Sequence, residues 1–183
     1  ADYSPGAREA FSSYLLAKYG SVEKINASLG TAFKDASELR VPTEKEFNAD
    51  APKVFFSPDE NRFAREYYIF TEEALAENIL TLCHVIKKIN PGRLAGTFYG
   101  QVIQAGQWST REHLTHGRYF WKQLASSPDF DFVTTPAFYK YSGVEHPLMM
   151  QSLLDSINLY GKVFIIEYDR PTHLLGYLQM IST

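Results

Sequence analysis

The chain has 183 residues, with 18 Lys+Arg against 21 Asp+Glu. That length allows one domain with a real core. The near-balanced charge argues against a nucleic-acid surface, which needs a basic excess, and no apolar run approaches the roughly 20 residues that span a bilayer, so neither a nucleic-acid nor a membrane partner is expected.

Ala1-Asp2-Tyr3-Ser4-Pro5 is neither a charged n-region nor an apolar h-region, so no signal peptide is expected. The compartment stays open, because the single cysteine, Cys83, cannot form an intramolecular disulfide and fixes no redox environment. Ser4 reads as an N-cap with Pro5 at the first helical position. Ala7, Phe11, Tyr14 and Leu15 then recur at helical spacing up to Tyr19, and Gly20 ends the helix. Ser21 caps a second, short helix through Val22, Ile25 and Leu29, closed by Gly30. Residues 31–57 read as a long loop broken by Pro42 and Pro52, and such loops are often functional.

Ser57-Pro58-Asp59-Glu60 has the form of a capping box and opens a long helix. Phe63, Tyr67, Phe70, Ala74, Ile79, Leu82, Val85, Ile86 and Ile89 mark its expected buried stripe, and Asn90-Pro91-Gly92 stops it. Leu94–Tyr99 follows as a strand, then a loop holding Trp108, and a helix capped by Thr110 through Leu114, Tyr119, Phe120 and Leu124. Phe132–Thr135 is the next strand. Pro136–Pro147 is a tyrosine-rich loop, and a helix follows through Leu148, Met149, Leu153, Ile157 and Leu159, ended by Gly161. The last apolar run, Val163–Ile166, leads straight into Glu167, Tyr168, Asp169 and Arg170.

The order is α-α-loop-α-β-α-β-α-β. Strands alternating with helices imply a parallel sheet with right-handed crossovers. The whole chain, 1–183, is expected to form a single α/β segment: 1–57 a helical entry and loop, 58–183 the α-β-α-β-α-β run. A full eight-fold barrel needs about 250 residues, so the alternatives are a small open α/β domain and part of a (β/α)8 barrel.

In parallel α/β folds the C-terminal ends of the strands face the ligand. Glu167 stands at such an end, where a carboxylate suits acid/base or nucleophilic work; the plainer alternative is an ion pair with Arg170 or Lys162. Asp169, Arg170 and His173 follow it and are candidates to bind substrate, or else cap the loop. Tyr99 ends the first strand, and Tyr139 and Tyr141 lie just past the second. Their rings suit stacking on a sugar's apolar face, or packing at a rim. Gln101, Gln104 and Trp108 follow on the same side.

His113 and His116 are helix neighbours without a third ligand of suitable type, and no HExxH or CxxC motif is present. Cys83 and His84, adjacent on a helix, point to different faces and make no dyad. GxxxxGK[ST] and GxGxxG are both missing. No metal and no cofactor is expected.

The chain resembles the second half of a glycoside hydrolase barrel, that of the family 42 β-galactosidases and their relatives. The residues that carry this are Asp2-Tyr3-Ser4-Pro5 with Phe11, Leu15 and Lys18-Tyr19-Gly20, then Val22-Glu23-Lys24-Ile25-Asn26 with Leu29-Gly30-Thr31. Val41-Pro42, Asp59…Arg62-Phe63 and the terminal Gly161-Lys162…Glu167-Tyr168-Asp169-Arg170-Pro171-Thr172-His173 continue the match in order. Ser28-Leu29 stands where a tryptophan is usual.

The resemblance implies a partial TIM-barrel segment with three parallel strands, the fifth to the seventh, and a carbohydrate substrate. It makes Glu167 the nucleophile of a retaining reaction and puts the acid/base glutamate on a strand before residue 1. A chain with one of the two carboxyls is expected to be inactive alone, and to form a homodimer through exposed sheet edges. The alternative of another class is a non-catalytic α/β domain that binds carbohydrate or protein.

Overall fold

The computed structural model describes residues 2–48, 61–98, 121–136 and 156–167. The described residues fall into two compact units, divided between Leu75 and Ala76.

In the first unit, α1 (Pro5–Tyr19) begins where the Ser4 side chain accepts from the Ala7 amide at 3.1 Å. It ends at Gly20, whose φ of 85° suits glycine. α2 (Val22–Leu29) is capped by Ser21 and closed by Gly30. Phe11 and Leu15 of α1 and Ile25 and Leu29 of α2 bury their side chains with Leu39, Val41, Phe63 and Tyr67 in one core. Phe11 is its centre, meeting Tyr67 edge-on at 4.9 Å and Phe70 at 5.2 Å between ring centroids.

Residues 31–48 are not the loop that composition suggests. They contain a 3-10 turn, Ala36–Glu38, and a short helix, α3 (Glu44–Asn48). Side chains of α1 and α2 hold this segment by its backbone. The Arg8 guanidinium donates to Leu39 O at 3.0 Å and Ser37 O at 2.8 Å, and Asn26 Nδ2 donates to Phe33 O at 2.8 Å. Arg40 forks onto Glu46 at 2.7 and 2.9 Å and lies over the Phe33 and Phe63 rings. That guanidinium, together with donors from Thr43, pulls the Glu46 carboxyl down to about 2.

The long helix, α4 (Arg62–Ile89), starts after Asn61, whose φ of 47° is left-handed. A helix running unbroken from Pro58 is therefore excluded at Asn61, which instead donates to Glu46 O at 2.7 Å; the Ser57 capping box itself lies outside the described residues. Buried Glu66 accepts from Tyr14 at 2.7 Å and pairs with Lys18. Burial, then the bond to Glu66, raises the Tyr14 hydroxyl pKa.

The second unit holds the sheet: β1 (Gly96–Phe98), β2 (Phe132–Pro136) and β3 (Val163–Glu167), in the order β1-β2-β3 with both pairings parallel. A short helix, α5 (Trp121–Ser126), precedes β2, and residues 156–159 are helical before β3. Ala76 and Cys83 of α4, Leu124, Phe130 and Ile157 pack with Val133 into one core, and Phe164 lies against it.

The expected stripe of α4 is buried at Phe63 and Tyr67, but Leu82, Val85, Ile86 and Ile89 are exposed. The small side chains Ala76 and Cys83 face this core instead. Exposed large hydrophobics in the first unit are Tyr3 and Leu75; all the others described, from Leu82 to Ile165, lie in the second.

Candidate active site

Strand period and register sort the sheet into two faces. Thr97, Val133 and Phe164 share one row, on the face that meets the helices. Gly96, Phe132 and Val163 form the first row of the opposite face, and Phe98, Thr134 and Ile165 the second. One period further on, Pro136 pairs with Glu167 at the C-terminal end of β3. Phe98 is 54%, Val163 52% and Ile165 45% exposed, so this second face is open.

In the first row, where Val163 is exposed, the Phe132 ring crowds its neighbour on β1. It leans over Gly96 so tightly that a Cβ there would lie 2.7 Å from Phe132 Cγ and 2.1 Å from its carbonyl oxygen. Only glycine admits that approach.

The N-terminal ends of the strands are tied together by one carboxylate. Asp131 Oδ2 accepts from the Ala95 amide at 2.7 Å and from Lys87 Nζ at 2.6 Å. The Asp131 backbone bonds Ala95 O and the Val163 amide. Burial pushes the Asp131 pKa up, but the Lys87 ammonium and the Ala95 amide outweigh it and hold the carboxyl below its ordinary value.

Lys162, weighed in sequence as a partner for Glu167, donates to Ser127 O at 2.7 Å. Five strand residues, about 16 Å, separate it from position 167. A pocket of 610 Å³ lined by His84, Lys87, Lys88, Pro91, Pro128 and Asp129 lies beside these N-terminal ends. His84 meets Asp129 there at 2.9 Å, while Cys83 is buried in the core. In strand-and-helix architectures that end serves stability, and chemistry belongs to the other.

Of the residues singled out in sequence, Glu167 has its backbone on the sheet as the last residue of β3. Tyr99, Tyr139, Tyr141, Asp169, Arg170 and His173 lie outside the described residues, as do Gln101, Gln104, Trp108, His113 and His116. Phe98 and Thr134 were not singled out. Their only signal in the sequence is strand period: Phe98 closes β1 and Thr134 lies two residues before the end of β2, on the same face as position 167.

Among the described residues, no three His, Cys, Asp or Glu side chains are grouped to hold a metal. No helix among them is long and apolar enough to cross a membrane.

Parallel strands laid side by side in chain order, helices covering one face and the other face open, define a segment of a (β/α)8 TIM-barrel fold. The catalytic domain of the β-amylase from Paenibacillus polymyxa has this fold in common with the chain. It matches with a TM-score of 0.67 and 20% identity over 98% of this chain and 45% of its own, so the chain spans less than half of that structure. The chain belongs to glycoside hydrolase family 42, described as beta-galactosidase, whose model matches residues 1–156. The match ends before β3. No curated protein matches the sequence.

Proposed function

We propose that this chain is the part of a retaining, β-galactosidase-like glycosidase that carries the nucleophile, and that Glu167 is that nucleophile. What supports it is one juxtaposition: a carboxylate residue at the C-terminal end of a parallel strand, on the open face of the sheet, in a family 42 chain. The carboxylate oxygen would attack the anomeric carbon while the bond to the leaving oxygen breaks, and water would then release the sugar. Arg170, close in sequence, would keep the carboxylate ionised. Asp169, Arg170 and His173 would bind the sugar's hydroxyls, and Tyr99, Tyr139 and Tyr141 its apolar face.

Retaining hydrolysis needs a second carboxyl about 5–5.5 Å away. Among the described strand ends, Phe98, Pro136 and Glu167, there is no other carboxylate. With Glu167 as one of the two carboxyls and the other on a strand before residue 1, as the resemblance implies, the 183-residue segment is expected not to turn over ordinary galactosides by itself.

A sugar whose leaving group needs no proton separates nucleophile from acid. With 2,4-dinitrophenyl 2-deoxy-2-fluoro-β-galactoside, a Glu167 oxygen–C1 bond forms as dinitrophenolate departs. Peptide mass spectrometry is expected to find the fluorosugar on Glu167, with none on Glu167→Gln. An adduct elsewhere, or none at all, overturns the assignment, and sugar binding without any adduct favours the non-catalytic domain. Turnover of ordinary chromogenic galactosides by the chain, abolished in Glu167→Gln, would contradict its being half a site.

Self-association belongs to the same proposal. Among the described residues β1 and β3 each pair on one side only, and Leu82, Val85 and Ile86 of α4 are exposed large hydrophobics. A homodimer covering them is expected in sedimentation velocity; a monomer at high concentration would count against it.

A further inference from the structure

We draw no further inference here: the strongest candidate, the 610 Å³ pocket that His84, Lys87, Lys88, Pro91, Pro128 and Asp129 line beside the N-terminal ends of the strands, carries nothing, because its His84 and Lys87 already answer the carboxylates of Asp129 and Asp131 and no other group described there points to a ligand.

Discussion

Replacing Gly96 by alanine should destabilise the sheet although alanine normally favours folding. A Cβ at position 96 would stand 2.1 Å from Phe132 O and 2.8 Å from Phe132 Cδ1. Comfortable carbon–oxygen contacts begin near 3.3 Å, so β1 and β2 must part by about 1 Å. The obstructing oxygen belongs to the backbone of the paired strand and cannot swing aside as a side-chain tip would. Forced overpacking of this kind costs about 1–3 kcal/mol. The smaller entropy of the unfolded alanine chain returns about 0.4–1 kcal/mol. A net loss of about 1.3 kcal/mol lowers the midpoint by roughly 3–5 °C for a chain of this size. Thermal unfolding by circular dichroism measures it, with Gly92→Ala as the control, since a Cβ there meets only Asn90 Oδ1 at 3.6 Å. Gly92→Ala should stay within about 0.5 kcal/mol of the parent. A Gly96→Ala midpoint equal to that of Gly92→Ala would refute the steric argument.

Two further outcomes can be checked independently. Glu46 has a folded pKa of about 2 against 4.5 in the unfolded chain, mainly because Arg40 binds it. A depressed carboxylate stabilises fully above the unfolded value and loses its contribution as pH falls toward the folded one. The pair is partly exposed, which reduces the effect to about 1 kcal/mol. The stability gap between the parent and Glu46→Gln, read by urea unfolding, should therefore be present at pH 6 and close toward pH 2; a gap that persists at low pH contradicts the ion-pair origin. Asp131→Asn should cost about 2 kcal/mol by weakening the links to Lys87 and Ala95, while fluorosugar labelling of Glu167 proceeds as before. Unchanged stability, or lost labelling in a folded variant, would show that the two ends of the sheet are not separate in role.

Local sequence signals hold where one residue type has one physical use. Ser4-Pro5, Gly20, Ser21 and Gly30 delimit α1 and α2 where sequence places them. The apolar run Val163–Ile166 is a parallel strand, and it ends at Glu167. Residues 31–48 look like a loop in sequence because α3 is too short to show a period. Its signature is a capping box that the sequence does contain: Thr43 Oγ1 accepts from the Glu46 amide at 3.3 Å, and Glu46 Oε2 accepts from the Thr43 amide at 2.7 Å. On α4 the apolar period was real but its burial was not uniform. Period says which residues share a stripe; what covers the stripe is decided by other parts of a fold, and Leu82, Val85, Ile86 and Ile89 are exposed here. The candidate site divides the same way. Strand period located position 167, while which residues of β1 and β2 stand level with it depends on cross-strand register, which no single strand's sequence encodes.

The anchoring of residues 31–48 bears on how this region can drift. Arg8, Ser12 and Asn26 grip the carbonyl oxygens of Ser37, Leu39 and Phe33, not their side chains. Every residue has a carbonyl, so exchanging the side chain at position 37 leaves the grip intact. Removing one residue instead shifts each oxygen out of reach of its donor at once. The segment is thus tolerant of exchange at exposed positions such as 37 and intolerant of a change in length, the reverse of an ordinary surface connection.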